Sequence, residues 1–281
     1  IGKVFSVGDF VLVAAFLQSF FPQLFELVWG FRDIAKSYTD MQRYFSLLDN
    51  DVKILDPVKP TTVKNLKGEI EFKKVSFAYD ENKNKALKEV SLKIRQGQSV
   101  ALIGRSGAGK TSFTKLLLRF FDPDRGIITI DGIDIKKFTK SQLRSYFGVV
   151  PQEPVLFNNT IGYNIKYAKP QATKDEVKAA SKIANIYDFI LSLPEGFETQ
   201  VGERGIKLSG GQKQRLAIAR MILSDPKIII FDEATSQLDS ESEKLIQDAF
   251  WKASYGKTVI IIAHRLSTIQ KADKIIVLEK G

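Results

Sequence analysis

Apolar residues fall along this chain in three arrangements. From Phe10 to Trp29 the stretch FVLVAAFLQSFFPQLFELVW is apolar apart from Gln18, Ser19, Pro22, Gln23 and Glu26. A helix crosses a bilayer core with ~20 such residues, so the length fits a membrane span; a buried core helix is the alternative. Pro22 and the glutamines suit a membrane helix whose polar face lines a bundle interior or cavity. Next, Phe31, Ile34, Tyr38, Met41, Phe45 and Leu48 recur at steps of three and four, one stripe of a continuing helix. A helix apolar all round and then amphipathic predicts a membrane span that projects into the cytoplasm. Arg32 and Lys36 follow the apolar stretch whereas only Lys3 precedes it, which places its C-terminal end on the cytoplasmic side.

The stretch Asp49 to Leu66 has prolines and no period and reads as a linker. GEIEFKKVSFAYD then alternates as a strand. Apolar strand-like runs follow at Val100–Ile103, Ile127–Ile130, Ile228–Phe231 and Val259–Ile262, most of them separated by helical patterns. This predicts an α/β fold, a sheet with parallel strands covered by helices. No internal repeat or low-complexity tract interrupts it.

Composition narrows the chemistry. The 281 residues are 44% hydrophobic and 26% charged, values of an ordered globular chain. Cysteine is absent, which excludes disulfides, zinc–thiolate sites and thiol catalysis, and the single histidine, His264, excludes a His-rich metal site. A net charge of +10 admits a nucleic-acid or an anionic-membrane partner. The basic residues are scattered through stretches such as KNKALKEVSLKIR rather than gathered in one run, which favours a solvated surface beside a membrane. The chain opens on Ile1 with no basic leader, so a fragment cut at the front is expected, and continuation after Gly281 is left open.

Two stretches carry phosphate chemistry. SVALIGRSGAGKT is a P-loop pattern between an apolar run and a helical pattern, Ser112–Phe121. Gly104, Gly107 and Gly109 let backbone N–H groups approach phosphate oxygens, and the helix N-terminus adds about half a positive charge. Arg105, Ser106 and Ala108 complete the loop; Lys110 reaches the β- and γ-phosphates; the Thr111 hydroxyl is a ligand for Mg2+, with Ser112 beside it. KIIIFDE is a buried strand with Asp232 and Glu233 at its C-terminal edge, where open α/β sheets bind ligands. Asp232 suits the Mg2+ shell, and Glu233 is placed to polarise an attacking water. These motifs imply nucleotide hydrolysis or phosphoryl transfer, which kinases, helicases and GTPases share.

The second stretch is LSGGQKQRLAIAR, residues 208–220, with Ser209 as N-cap and Leu216, Ala219 and Leu223 on the inward face of a helix. With Leu208-Ser209-Gly210-Gly211-Gln212 in place, Gly68 to Gly281 resembles the ATP-binding cassette (ABC) superfamily. The resemblance implies a nucleotide-binding domain with a RecA-like core, an antiparallel β subdomain and a helical subdomain. It implies three regions: 1–48 the end of a transmembrane domain, 49–67 a linker, 68–281 the nucleotide-binding domain. By the same resemblance Tyr79 stacks on adenine, and Gln152 in VVPQEPVLF touches Mg2+ and the attacking water. TQVGERG, 199–205, is similar to an exporter segment that helps transmit closure. SQLD, 236–239, stands where the family has SALD, with Gln237 as the departure and Asp239 retained for contact across a dimer. His264 matches the histidine that senses the γ-phosphate.

In that family two domains pair head to tail, each ATP lying between one P-loop and the opposite Ser209, Gly210, Gly211 and Gln212. The resemblance therefore implies ATP and Mg2+ as cofactors and a second ABC subunit as partner, a homodimer or a heterodimer. It implies an exporter half-transporter in a membrane, here a bacterial plasma membrane with the nucleotide-binding domain in the cytoplasm, and no nucleic acid. A soluble ABC ATPase acting on DNA, ribosomes or Fe–S assembly is the alternative, which membrane partitioning discriminates. The first helix resembles the last membrane helix of bacterial exporters and of their mitochondrial relatives. The transported substrate is not encoded in these residues.

Overall fold

The computed structural model describes residues 6–48, 54–63, 65–80, 85–232, 239–262 and 266–281. The chain divides into two units, 1–55 and 56–281. In the first, a single helix α1 runs Val7–Leu48, 42 residues with Pro22 inside it, about 63 Å at 1.5 Å per residue. Ser6 and Asp9 start it reciprocally: the Asp9 carboxylate accepts from the Ser6 N–H and the Ser6 hydroxyl accepts from the Asp9 N–H. None of its residues is buried, and it is long and apolar enough to cross a membrane.

The second unit holds two sheets. The antiparallel one has strands β1 (Ile70–Phe77), β2 (Leu87–Ile94), β4 (Arg125–Ile130) and β5 (Ile133–Asp134) in the order β2-β1-β4-β5. The parallel one has β3 (Ser99–Ile103), β6 (Phe147–Val150), β7 (Ile228–Asp232), β8 (Thr258–Ile262) and β9 (Lys274–Val277) in the order β6-β7-β8-β3-β9. Three of the four apolar runs lie in adjacent parallel strands, as expected. Ile127–Ile130 does not: it is the end of β4, paired antiparallel with β1. An apolar run reports burial and not strand direction, and Ile128 and Ile130 are buried beneath the second sheet.

Helices cover both arrangements. Helix α2 (Lys110–Leu117) follows β3; α3 (Lys140–Ser145) precedes β6; α4 (Ile161–Lys166), α5 (Lys174–Ile183), α6 (Tyr187–Ser192), α7 (Gly210–Leu223) and α8 (Ser240–Ser254) form a helical layer; α9 (Leu266–Ile269) precedes β9. The first helix after the P-loop begins and ends earlier than the Ser112–Phe121 pattern. Its chain leaves the helix at Arg119, held at φ 51° with its guanidinium buried against Asp122 and the Phe138 carbonyl.

β7 divides the core by simple alternation. Ile228 and Ile230 join one apolar cluster with Phe72, Ile128 and Phe113; Ile229 and Phe231 join another with Leu216, Ile246 and Phe250. One aromatic pair anchors each side, Phe72–Phe113 at 4.3 Å and Phe231–Phe250 at 4.2 Å between ring centroids. A strand buried on both faces has no solvated side to alternate with, which is why KIIIF reads as an unbroken run. Ahead of the sheets, described residues 54–69 carry no helix or strand, and Asp56 and Val63 are hydrogen-bonded to Lys140 and Tyr146.

Candidate nucleotide site

Parallel strands emit all their C-terminal loops at one edge, and this edge gathers the candidates. β3 leads into residues 104–109, β7 ends on Asp232, and β6 leads into Pro151 and Gln152. Asp232 pairs in register with Ile262 of β8, which pairs with Leu102 of β3. Asp232 therefore ends its strand two strand spacings, roughly 10 Å, from the line of the P-loop strand. Glu233, the 236–238 part of SQLD and His264 lie outside the described residues.

The loop itself is built around Gly109, the residue before α2, with φ 106° and no side-chain cap. A Cβ there would sit 2.5 Å from the Ala86 carbonyl oxygen, so only glycine fits. The uncapped start leaves the first N–H groups of α2 to an anion. Arg105, Ser106, Gly107 and Thr111 are exposed; Ala108, Gly109, Lys110 and Ser112 are buried. The Lys110 ammonium donates to the carbonyls of Gly104 at 2.6 Å and Arg105 at 3.1 Å, folded along its own loop. The residues fit a triphosphate with Mg2+: glycine N–H groups, one ammonium, an exposed hydroxyl at Thr111 and a carboxylate at Asp232.

Tyr79, half exposed, shares a hydrogen bond of 3.1 Å with the buried Ser112 hydroxyl and packs edge-on against Phe77 and Phe121. This places an aromatic ring beside the first turn of α2. The pattern did not reveal the link, because it joins positions 33 apart in sequence.

The second glycine pair starts α7, in a different layer. Ser209 accepts from the Gln212 N–H at 3.3 Å, and the Gln212 side chain accepts from the Ser209 N–H at 2.8 Å, a complete capping box. Leu208 and Gly211 are buried, while Ser209 and Gly210 are exposed. Among the described residues no hydrogen bond joins Ser209–Gln212 to residues 104–111. Asp239 caps α8 through the Ser242 N–H, which holds its carboxyl below the usual range. Arg215, on α7, donates to the Asn185 carbonyl; burial lowers its pKa, opposed by the Asp239 and Glu241 carboxylates.

Three residues that motif reading passed over tie these parts together. Gln214 of α7 donates to the Pro151 and Gln152 carbonyls. Arg220 donates to the carbonyls of Val155 and Asn164 and to the Asn164 side chain. Asn164, fully buried, accepts from the Phe157 N–H and donates to the Phe157 carbonyl. Gln214 was findable in principle, since a glutamine stands on a helix face otherwise apolar.

A family model described as ABC transporter matches residues 87–236. The mouse (Mus musculus) ATP-binding cassette sub-family B member 6 is 48% identical over 275 residues, 98% of this chain and 32% of that protein. The heavy metal tolerance protein of Schizosaccharomyces pombe is 46% identical over 276 residues, covering 98% and 33%. A solved structure of a bacterial Atm1-family ABC exporter with ATP bound superposes with a TM-score of 0.79 at 45% identity, covering 98% of this chain and 48% of that one. The chain thus spans about a third of the curated relatives it matches and about half of the solved exporter chain.

Proposed function

The chain belongs to the ABC transporter family, and from that premise we infer that it is the C-terminal part of an exporter half-transporter. It comprises, on this reading, the last membrane helix (1–48), a linker (49–67) and a nucleotide-binding domain (68–281) that binds and hydrolyses ATP to drive export.

The observation that carries the reading is the pair of glycine-built helix starts, α2 and α7, in one domain, with no hydrogen bond between them among the described residues. A triphosphate held by residues 104–112 leaves the Ser209–Gln212 turn to a phosphate from elsewhere. A second subunit, head to tail, supplies it, and all motifs being intact, a homodimer has two competent sites. The Lys110 ammonium exchanges its two loop carbonyls for the β- and γ-phosphates, and Tyr79 stacks on adenine. Thr111, Gln152 and Asp232 are the residues that would hold Mg2+, which supplies charge neutralisation at the phosphate oxygens. Glu233 takes the proton of the attacking water, and His264 contacts the γ-phosphate. Each charge-assisted hydrogen bond contributes about 1.5–3 kcal/mol. Loss of the γ-phosphate removes those that span the subunits, and the domains part.

The apolar stretch of α1 followed by Arg32 and Lys36 supports an integral membrane protein with this domain in the cytoplasm. Arg32 lies over the Trp29 ring at 3.8 Å, a pairing suited to the interfacial belt. A bacterial plasma membrane is our reading of the compartment. The test is the full-length protein in lipid. Glu233→Gln should bind ATP, lose turnover by about two to four orders of magnitude and accumulate as an ATP-bound dimer. His264→Ala should slow hydrolysis strongly. Wild-type rates in both variants would overturn the site, and recovery of the protein wholly in the soluble fraction would overturn the membrane assignment.

A further inference from the structure

Gln214 is 4% exposed, yet its carboxamide is spent on backbone. Its Nε2 donates to the Gln152 carbonyl at 2.7 Å and to the Pro151 carbonyl at 3.2 Å, where the chain leaves β6. Its Oε1 is buried with no partner among the described residues. A buried acceptor left unpaired is costly, and leucine would fill the same volume without that cost. Among the described residues the return for it is the grip on those two carbonyls.

The grip has a second anchor on the same helix. Arg220 holds the Val155 carbonyl at 3.2 Å and, through the Asn164 side chain at 3.0 Å, a residue bonded to both backbone groups of Phe157. The segment 151–157 is thus fastened to α7 at both ends, while the side chain of Gln152 is exposed. α7 is also the helix whose first turn carries Ser209–Gln212.

We propose that Gln214 is a positioning residue: it fixes the backbone of Gln152 to α7, so that the reach of the Gln152 side chain is set by the helix bearing the second glycine pair. The proposal rests on the reading of Gln152 as a residue at the metal and the attacking water. A helix start that engages one nucleotide then shares a rigid connection with the residue that serves the other. Gln214 itself touches no nucleotide.

The experiment uses the full-length protein reconstituted in lipid, with ATP hydrolysis measured against ATP concentration. Gln214→Leu is expected to lower kcat on the order of tenfold with KM within about twofold, since a positioned water and not uniform binding is lost. In a Gln152→Ala background, Gln214→Leu should cost nothing further, because its only route of action is gone. Gln214→Met, which keeps the side-chain length without the N–H donor, should lower kcat as the leucine variant does, with KM again within about twofold. Unchanged kcat in Gln214→Leu, a loss that appears wholly in KM, or full additivity with Gln152→Ala would overturn the proposal. If Gln214→Leu does not fold, Gln214→Met decides in its place, an unchanged kcat counting against. Wild-type protein that does not hydrolyse ATP overturns the site itself; active wild type with an indifferent Gln214 overturns only this inference.

Discussion

Two helices in this domain begin at glycines, and they begin in opposite ways. α2 starts at Gly109, in a left-handed conformation with no side-chain cap. α7 starts at Ser209 with a reciprocal cap from Gln212. The first leaves its N–H groups for a ligand; the second satisfies two of its own and still exposes Ser209 and Gly210. A primary binding loop has to offer unmet donors. On the proposed reading, the α7 start meets a phosphate only when another subunit arrives, and it has to stay folded without it. α5 makes the contrast sharper: its capping box uses Thr173 and a charged Glu176, where α7 uses a neutral glutamine. The Ser209 hydroxyl accepts from the Gln212 N–H, so its own proton is left to donate, and no carboxylate cancels the positive end of α7.

Four substitutions probe this contrast, beginning with the most damaging. Gly109→Ala should weaken ATP binding by at least about a hundredfold, because its Cβ meets the Ala86 oxygen at a φ that alanine avoids. Titration with a fluorescent nucleotide reads this, and an affinity within a few-fold of wild type would dissolve the distinction. Gln212→Glu should keep or slightly raise thermal stability yet cut turnover by roughly tenfold, since the box survives while a negative charge occupies the phosphate end. An unaltered rate would mean that neutrality at this position is incidental. Ser209→Ala should destabilise the domain by about 1 kcal/mol in denaturant melts, the usual worth of an N-cap. No change there would show that α7 does not depend on its cap.

The smallest effect concerns α5. The Lys169 ammonium, and next the Thr173 N–H, hold the Glu176 carboxyl down to about 2 from an ordinary 4.5. A depressed carboxyl stabilises the fold above its ordinary value, and that contribution is lost as pH falls through about 2. Glu176 is solvent-exposed, so screening keeps the effect small. Glu176→Gln should slightly flatten the acid limb of stability below pH ~4.5, followed by denaturant midpoints. Gln212, which does not titrate, should leave that limb untouched when replaced by alanine.

Much of this arrangement was legible along the chain because it depends on neighbours in sequence. The long first helix, three of the parallel strands, the P-loop and the Ser209 cap are all local patterns. What escaped depends on distant partners. Ile127–Ile130, interrupted only by Thr129, looked much like its parallel counterparts, and its pairing with β1 is what sets it in the antiparallel sheet. The early end of α2 is dictated by Arg119 reaching the Phe138 carbonyl. Gln214 and Arg220 look like ordinary helical residues until the carbonyls 62 and 65 positions away are brought beside them. The tie of Tyr79 to Ser112 appears only when β1 and α2 come together.

Lys110 leaves one more consequence. With its ammonium already bonded to the carbonyls of Gly104 and Arg105, the loop carries an internal competitor for the incoming triphosphate. Nucleotide affinity is then a difference between two sets of contacts, smaller than either. The same competitor closes behind a departing product and hastens its escape. On the proposed reading, a cassette built this way trades tightness for turnover.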